Sequence, residues 1–235
     1  MKSIELKQVS KSFKDGSKTI EALKETNFSV EPGEFVAIIG PSGSGKSTFL
    51  TIIGGLQQPS EGSVRIANEK FSELKEKERA KRRFKEIGFI LQASNLVPFL
   101  TVKEQLILVN KVEKSSINSD RIHTLLEELD IMDLADKYPG DLSGGERQRA
   151  AIARALYHDP TVILADEPTA SLDTSRAFEV VEILARETKN KKKATIMVTH
   201  DERLTEYCDS VYVMKDGVLE KQTDKKKRGK NEEDS

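Results

Sequence analysis

Directly after the apolar run Phe35–Ile39 the chain reads Gly40-Pro41-Ser42-Gly43-Ser44-Gly45-Lys46-Ser47-Thr48, and from Lys46 to Leu56 the pattern becomes helical. A strand that feeds a glycine-rich loop and then a helix leaves few folds open. Such a loop turns successive backbone N–H groups toward one point and adds the helix dipole to them, so the point favours an anion. The full Gly-x4-Gly-Lys-Ser spacing makes the expected anion a nucleotide's phosphates. Lys46 then reaches the β and γ phosphates, and Ser47 offers its hydroxyl to Mg²⁺. Gly40, Gly43 and Gly45 keep bulk out of the approach, and Pro41, Ser42, Ser44 and Thr48 complete the cradle.

The chain's 235 residues suffice for one sizeable α/β domain or two small lobes. Charged residues make up a third of the composition but nearly cancel, to a net charge of −1, so no global field recruits nucleic acid or an acidic membrane. Cys208 is the only cysteine, which excludes an intramolecular disulfide and a multi-thiolate zinc site. No apolar run approaches the roughly 18 to 20 residues of a membrane-spanning helix, and the amino terminus alternates polar and apolar residues. The expectation is a cytosolic chain without direct membrane insertion, whose membrane contact comes through a partner.

Short apolar or period-two runs at Ile4–Val9, Thr26–Val30, Phe35–Ile39, Ser63–Ile66, Ile87–Leu91, Val162–Ala165, Thr195–Thr199 and Val211–Met214 alternate with helical patterns, which predicts a layered α/β core. Between Gln92 and Tyr157 no strand intervenes, and Leu125, Leu126, Leu129 and Leu134 recur at helical spacing, so residues 92–157 read as an inserted helical lobe. Ser72–Lys85, dense in Glu, Lys and Arg, reads as a solvated surface helix; its interleaved charges and scarce aromatics argue against nucleic-acid binding. Residues 1–220 are expected to form the domain. Residues 221–235, basic then acidic, are expected to form a disordered tail.

A second chemical element follows the buried run Val162–Ala165, which ends in Asp166 and Glu167. A carboxylate at the end of a core strand can hold Mg²⁺ through its water shell, and the next one can polarise an attacking water. Asp166 therefore reads as the metal residue and Glu167 as the catalytic base. A third element, Leu142-Ser143-Gly144-Gly145-Glu146-Arg147-Gln148, places a hydroxyl and glycine amides at the start of a helix, where Ser-Gly-Gly alone reads as an ordinary N-cap and the flanking Leu142 and Glu146-Arg147-Gln148 favour a second anion-binding amino terminus.

In this order, with Gln92 after one strand, Ser171-Leu172-Asp173 in a loop and His200 after another strand, these elements resemble the nucleotide-binding subunits of ABC transporters over Ile4–Leu219. The resemblance implies an α/β P-loop NTPase core with an antiparallel β subdomain and an inserted α-helical subdomain. It also implies ATP hydrolysis with Mg²⁺. By the same resemblance Ser143, Gly144 and Gly145 close on the ATP of the opposite subunit in a homodimer, and Asp173 helps set that site's geometry. Gln92 touches Mg²⁺ or the attacking water, and His200 hydrogen-bonds the γ-phosphate. Phe13 stands near the position where the family places an adenine-stacking aromatic, with a core or turn phenylalanine as the rival reading.

The stretches Ile87–Pro98 and Leu164–Thr169 resemble the lipoprotein-release and macrolide-export branch, which includes haem efflux, while Ala170-Ser171 departs from the Gly-Asn common there. The implied partner is a polytopic permease, and the implied location is the cytoplasmic face of the membrane. The rival reading is a motor for transmembrane signalling or another non-transport process. Soluble repair forms would carry a long coiled coil between phosphate loop and signature, and translation forms two cassettes; neither pattern is present.

Overall fold

Five consecutive apolar residues leave Phe35–Ile39 no solvent face, so this strand (β3) has to lie inside a sheet covered on both sides. The computed structural model, which describes residues 2–16 and 18–222, places it there. The six-stranded sheet runs β10 (Val218–Lys221), β9 (Ser210–Lys215), β3, β8 (Ala194–Val198), β7 (Val162–Asp166), β6 (Ile87–Ile90). All neighbours are parallel except the edge pair β10–β9.

A second, antiparallel sheet has the order β2 (Lys18–Val30), β1 (Ile4–Asp15), β4 (Glu61–Ile66), β5 (Glu69–Lys70). Its β1–β2 hairpin is far longer than the apolar alternation predicts. Register shifts between Leu6 and Ser12, and a left-handed backbone at Gln8 (φ 50°), break the period of two that marks a strand in sequence.

Helix α1 (Lys46–Ile53) follows the glycine-rich loop and buries Phe49, Leu50, Ile52 and Ile53 in a cluster with the antiparallel sheet and one face of the parallel one. The opposite face packs against α5 (Gly144–Tyr157), α6 (Thr174–Asn190), α3 (Val102–Glu113) and α4 (Ser119–Glu128). Among the described residues no strand lies between β6 and β7, the stretch that holds α3, α4 and α5. The charged segment forms α2 (Glu76–Glu86), in which Arg79 is buried and bonded to Glu76 and the Leu74 carbonyl. Lys221 ends β10 and the Gln222 N–H donates to the Val211 carbonyl, so the first two residues of the expected 221–235 tail belong to the sheet edge; residues 223–235 lie outside the described residues.

His158, at the carboxyl end of α5, is stacked on Phe84 of α2 at 6.0 Å between ring centroids, with Nε2 buried and unpartnered. Burial pushes its pKa down from 6.5 to about 4. Because the folded value lies below the unfolded one, the unfolded chain binds the extra proton, so this histidine costs stability as pH falls from 6.5 toward 4. At pH 5 the cost is about 2 kcal/mol relative to pH 7. Urea unfolding of His158→Gln at the two pH values is expected to show a smaller drop than the parent by about that amount. Equal drops would contradict the burial argument.

Candidate functional site

Parallel strands that stop level with one another bring whatever follows them to one edge. Val198 of β8 is in register with Ile38 of β3 and with Asp166 of β7. The Thr199 N–H donates to the Ile38 carbonyl at 3.2 Å, and the Glu167 N–H to the Val198 carbonyl at 3.0 Å. The glycine-rich loop, Asp166, Glu167 and His200 thus meet at the carboxyl ends of adjacent strands, where open α/β sheets hold ligands. Gln92, just beyond β6, joins them. Together they line a cleft of about 450 Å³ with Gly40, Ser42, Gly43, Gly45, Lys46, Ser47 and Thr48.

The loop's shape is set by backbone contacts. Gly40, Gly43 and Gly45 have φ of 151°, 78° and 108°, in a region that L side chains rarely adopt. A Cβ at Gly40 would collide with the Met214 carbonyl, and one at Gly45 with the Ala22 carbonyl, whereas at Gly43 nothing lies within 4 Å. Two of the three glycines are therefore demanded by the protein's own packing, and only Gly43 faces open space. Ser44 is buried with an unpartnered Oγ, and its carbonyl accepts from Gly217 N–H. The Lys46 ammonium donates to the Gly40 and Pro41 carbonyls at 2.8 and 2.7 Å, folding the side chain back over the loop.

Opposite stand the carboxylates. Asp166 is half-buried; burial, then the neighbouring Glu167, push its pKa up, while Lys46 and a hydrogen bond from Ser47 pull it down. Glu167 adopts a left-handed backbone, φ 48°, costing on the order of 1 kcal/mol, a strain that gathers at functional sites. Its Oε2 lies 2.8 Å from Nδ1 of His200, whose ring is 75% exposed. The oxygen donors Ser47 and Asp166 and the amide of Gln92 share one cleft, and hard oxygen ligands of this kind suit Mg²⁺.

The other expected residues lie elsewhere. Ser143 caps α5: its Oγ accepts from Glu146 N–H at 3.3 Å while Glu146 Oε2 accepts from Ser143 N–H at 2.7 Å, a reciprocal capping box. Those bonds to Ser143, with Arg149 and Arg147 nearby, hold the Glu146 carboxyl below its usual range. Gly144 and Gly145 pack on Ser171 and Leu172, and Asp173 caps α6 by accepting from Arg176 N–H at 3.0 Å. None of Ser143, Gly144, Gly145 and Asp173 lines the phosphate-loop cleft of its own chain. Phe13 sits on β1 opposite Ile20, half-exposed, with the Lys11 ammonium 5.2 Å from its ring, and does not line the cleft either. Ala22 and Val198 do line it. A small residue in a hairpin and a valine in a core strand carry no chemical signal in sequence.

The ABC transporter family model matches residues 23–170. The protein named "Putative hemin import ATP-binding protein HrtA" of Staphylococcus haemolyticus is 47% identical over 220 residues, covering 93% of this chain and 99% of that protein. The protein of the same name in Staphylococcus aureus strain MRSA252 is 45% identical, covering 91% and 97%. Among solved structures, a dimeric post-hydrolysis state of the ATP-binding cassette MJ0796 bound to ADP and Pi superimposes with a TM-score of 0.87 at 38% identity, covering 94% of this chain and 99% of that one; MJ0796 belongs to Methanocaldococcus jannaschii. With the phosphate loop, the strand-end carboxylates and the whole cassette accounted for, the chain belongs to the ABC transporter family, as an ATP-binding, ATP-hydrolysing subunit of a transporter.

Proposed function

We propose that two copies of this chain bind two ATP molecules head to tail at their shared interface and drive an efflux permease. The observation that carries this is a separation. Ser143, Gly144 and Gly145 stand at the amino terminus of α5, yet they lie outside the cleft that holds Lys46, Asp166 and Glu167. A phosphate chain claimed from both sides needs a second copy to supply them. The dimeric solved structures of the MJ0796 cassette support this reading.

In the closed pair, Lys46 and the amides of the loop Gly40–Ser47 hold the phosphates. The hydroxyl of Ser47, the carboxylate of Asp166 and the amide of Gln92 would hold Mg²⁺, which offsets phosphate charge when bound. Glu167 orients or deprotonates the attacking water, and His200, whose Nδ1 lies 2.8 Å from Glu167 Oε2, hydrogen-bonds the γ-phosphate. Ser143, Gly144 and Gly145 contact the partner's ATP, with Asp173 placed by its cap at the crossing loop. Phe13 remains the candidate for stacking on adenine.

Among the described residues no helix is long and apolar enough to cross a membrane. Coupling to the membrane is assigned to Pro98–Val109, where Phe99 is 74% exposed between Gln92 and α3, against a polytopic permease at the cytoplasmic face. The export direction rests on the likeness of Ile87–Pro98 and Leu164–Thr169 to the export branch. The relatives' names specify hemin and import, so hemin is the first cargo to try and import the direction to test against.

Affinity purification of tagged Glu167→Gln from its native membrane, with ATP and Mg²⁺, tests the reading by mass spectrometry. A co-purifying permease with a large extracytoplasmic domain is expected. A permease accompanied by a solute-binding protein would overturn export, and a dimer without any membrane partner would overturn coupling to transport.

A further inference from the structure

The backbone between β6 and α3 has no regular secondary structure, and Gln92 stands at its start, exposed on the cleft. Asn95 within it adopts a left-handed backbone, φ 47°. A cavity of about 370 Å³ lies between this loop and the start of α5, lined by Gln92 to Leu96 on one side and Gly144, Arg147 and Gln148 on the other. A loop bordering such a space needs tethers to hold one position.

Two side chains of α5 supply them at the Gln92 end. Gln148, 1% exposed, donates from Nε2 to the Leu91 carbonyl at 3.1 Å. The Arg154 guanidinium donates to the Asn95 carbonyl at 2.8 Å and to the Ser94 carbonyl at 3.1 Å. The far end is tied to α3: fully buried Gln105 accepts from Val97 N–H at 3.0 Å and donates to the Val97 and Leu100 carbonyls. The segment carrying Gln92 therefore hangs between two helices, and the one nearer Gln92 begins at Ser143.

We infer that Gln148 and Arg154 latch the Gln92 loop to the helix that carries Ser143, and so act as positioning residues for Gln92. A shift of α5 when Ser143 engages the opposite nucleotide pulls on the Leu91, Ser94 and Asn95 carbonyls. Gln92 moves with them relative to Asp166 and Glu167, which stay fixed to β7. Closure of one site is thereby reported to the other site's catalytic cleft through hydrogen bonds rather than through the sheet. This inference rests on the role proposed above for Gln92.

The test combines Arg154→Met, Arg154→Lys and Gln92→Ala in the full chain. Without nucleotide, Arg154→Met is expected to speed amide hydrogen exchange across residues 92–97 by roughly tenfold while leaving α3 unchanged. In turnover it is expected to lower kcat by about tenfold with KM for ATP within about twofold, because the loss is of orientation and the cradle is intact. Arg154→Lys, which keeps one donor, recovers part of both effects. In the Gln92→Ala background, Arg154→Met adds no further loss. Unchanged exchange in the loop would overturn the latch, as would losses that add in the double variant. Full kcat in Gln92→Ala would remove Gln92 from the chemistry and the positioning claim with it, an outcome distinct from additivity. Should Arg154→Met fail to fold, Gln148→Met, which removes the other tether at similar volume, carries the same expectations.

Discussion

Glu167→Gln is expected to lower kcat by about a thousandfold, in the range general-base catalysis contributes, while ATP still binds. The amide has the size of the carboxylate and can still hydrogen-bond His200, so the 2.8 Å contact and the strained backbone at residue 167 both survive. What disappears is an acceptor able to take a proton from water. The phosphate-binding side is untouched, since Lys46 is held by the Gly40 and Pro41 carbonyls. The variant is therefore expected to accumulate as an ATP-bound dimer, read by light scattering with ATP and Mg²⁺ alongside steady-state phosphate release. Parental turnover would strip Glu167 of its role. A variant that is slow but stays monomeric would instead count against the shared-interface reading.

Lys46→Ala acts earlier, and its effect on affinity is expected to reach at least a hundredfold. Lys46 is the one lysine or arginine among the described residues lining the cleft, and its charge pulls the Asp166 pKa down. Removing it leaves the cleft lined by Asp166 and Glu167 with no lysine or arginine among the described residues, where a polyphosphate has to come. It also deletes the ammonium that reaches the phosphates, whose charge-assisted bonds are worth about 1.5 to 3 kcal/mol each. Loss of one such term corresponds to roughly ten- to a hundredfold in binding, and the repulsion adds to it. Titration with a fluorescent ATP analogue measures the loss, and unchanged affinity would contradict the phosphate cradle.

Much of this site is legible in sequence because its chemistry is concentrated in short runs. Gly40–Thr48 carries its own strand-loop-helix context, and Asp166-Glu167 ends an unmistakable buried strand. The rest is spatial. That Ser143 stands outside its own chain's cleft cannot be read from Leu142–Gln148, since spacing along the chain says nothing of which cleft a helix terminus faces. Ala22 enters only because β2 runs on to Lys18, and that extension is mostly exposed and polar, without the alternation that betrays a strand. The short edge strands β5 and β10 escape for the same reason: with few buried side chains, their pairing is backbone hydrogen bonding, which any residue can provide.

The two glycines wedged against Ala22 and Met214 bear on the thermodynamics of ligand capture. Fixing one residue's backbone costs about 1 to 2 kcal/mol, so a floppy phosphate loop would charge several residues' worth of entropy to every association event. Here the body of the fold has already made that expenditure at Gly40 and Gly45, whose conformations are imposed by β2 and β9. The loop is thus a rigid receptor. An alanine at either glycine would weaken binding by deforming the receptor rather than by touching the ligand.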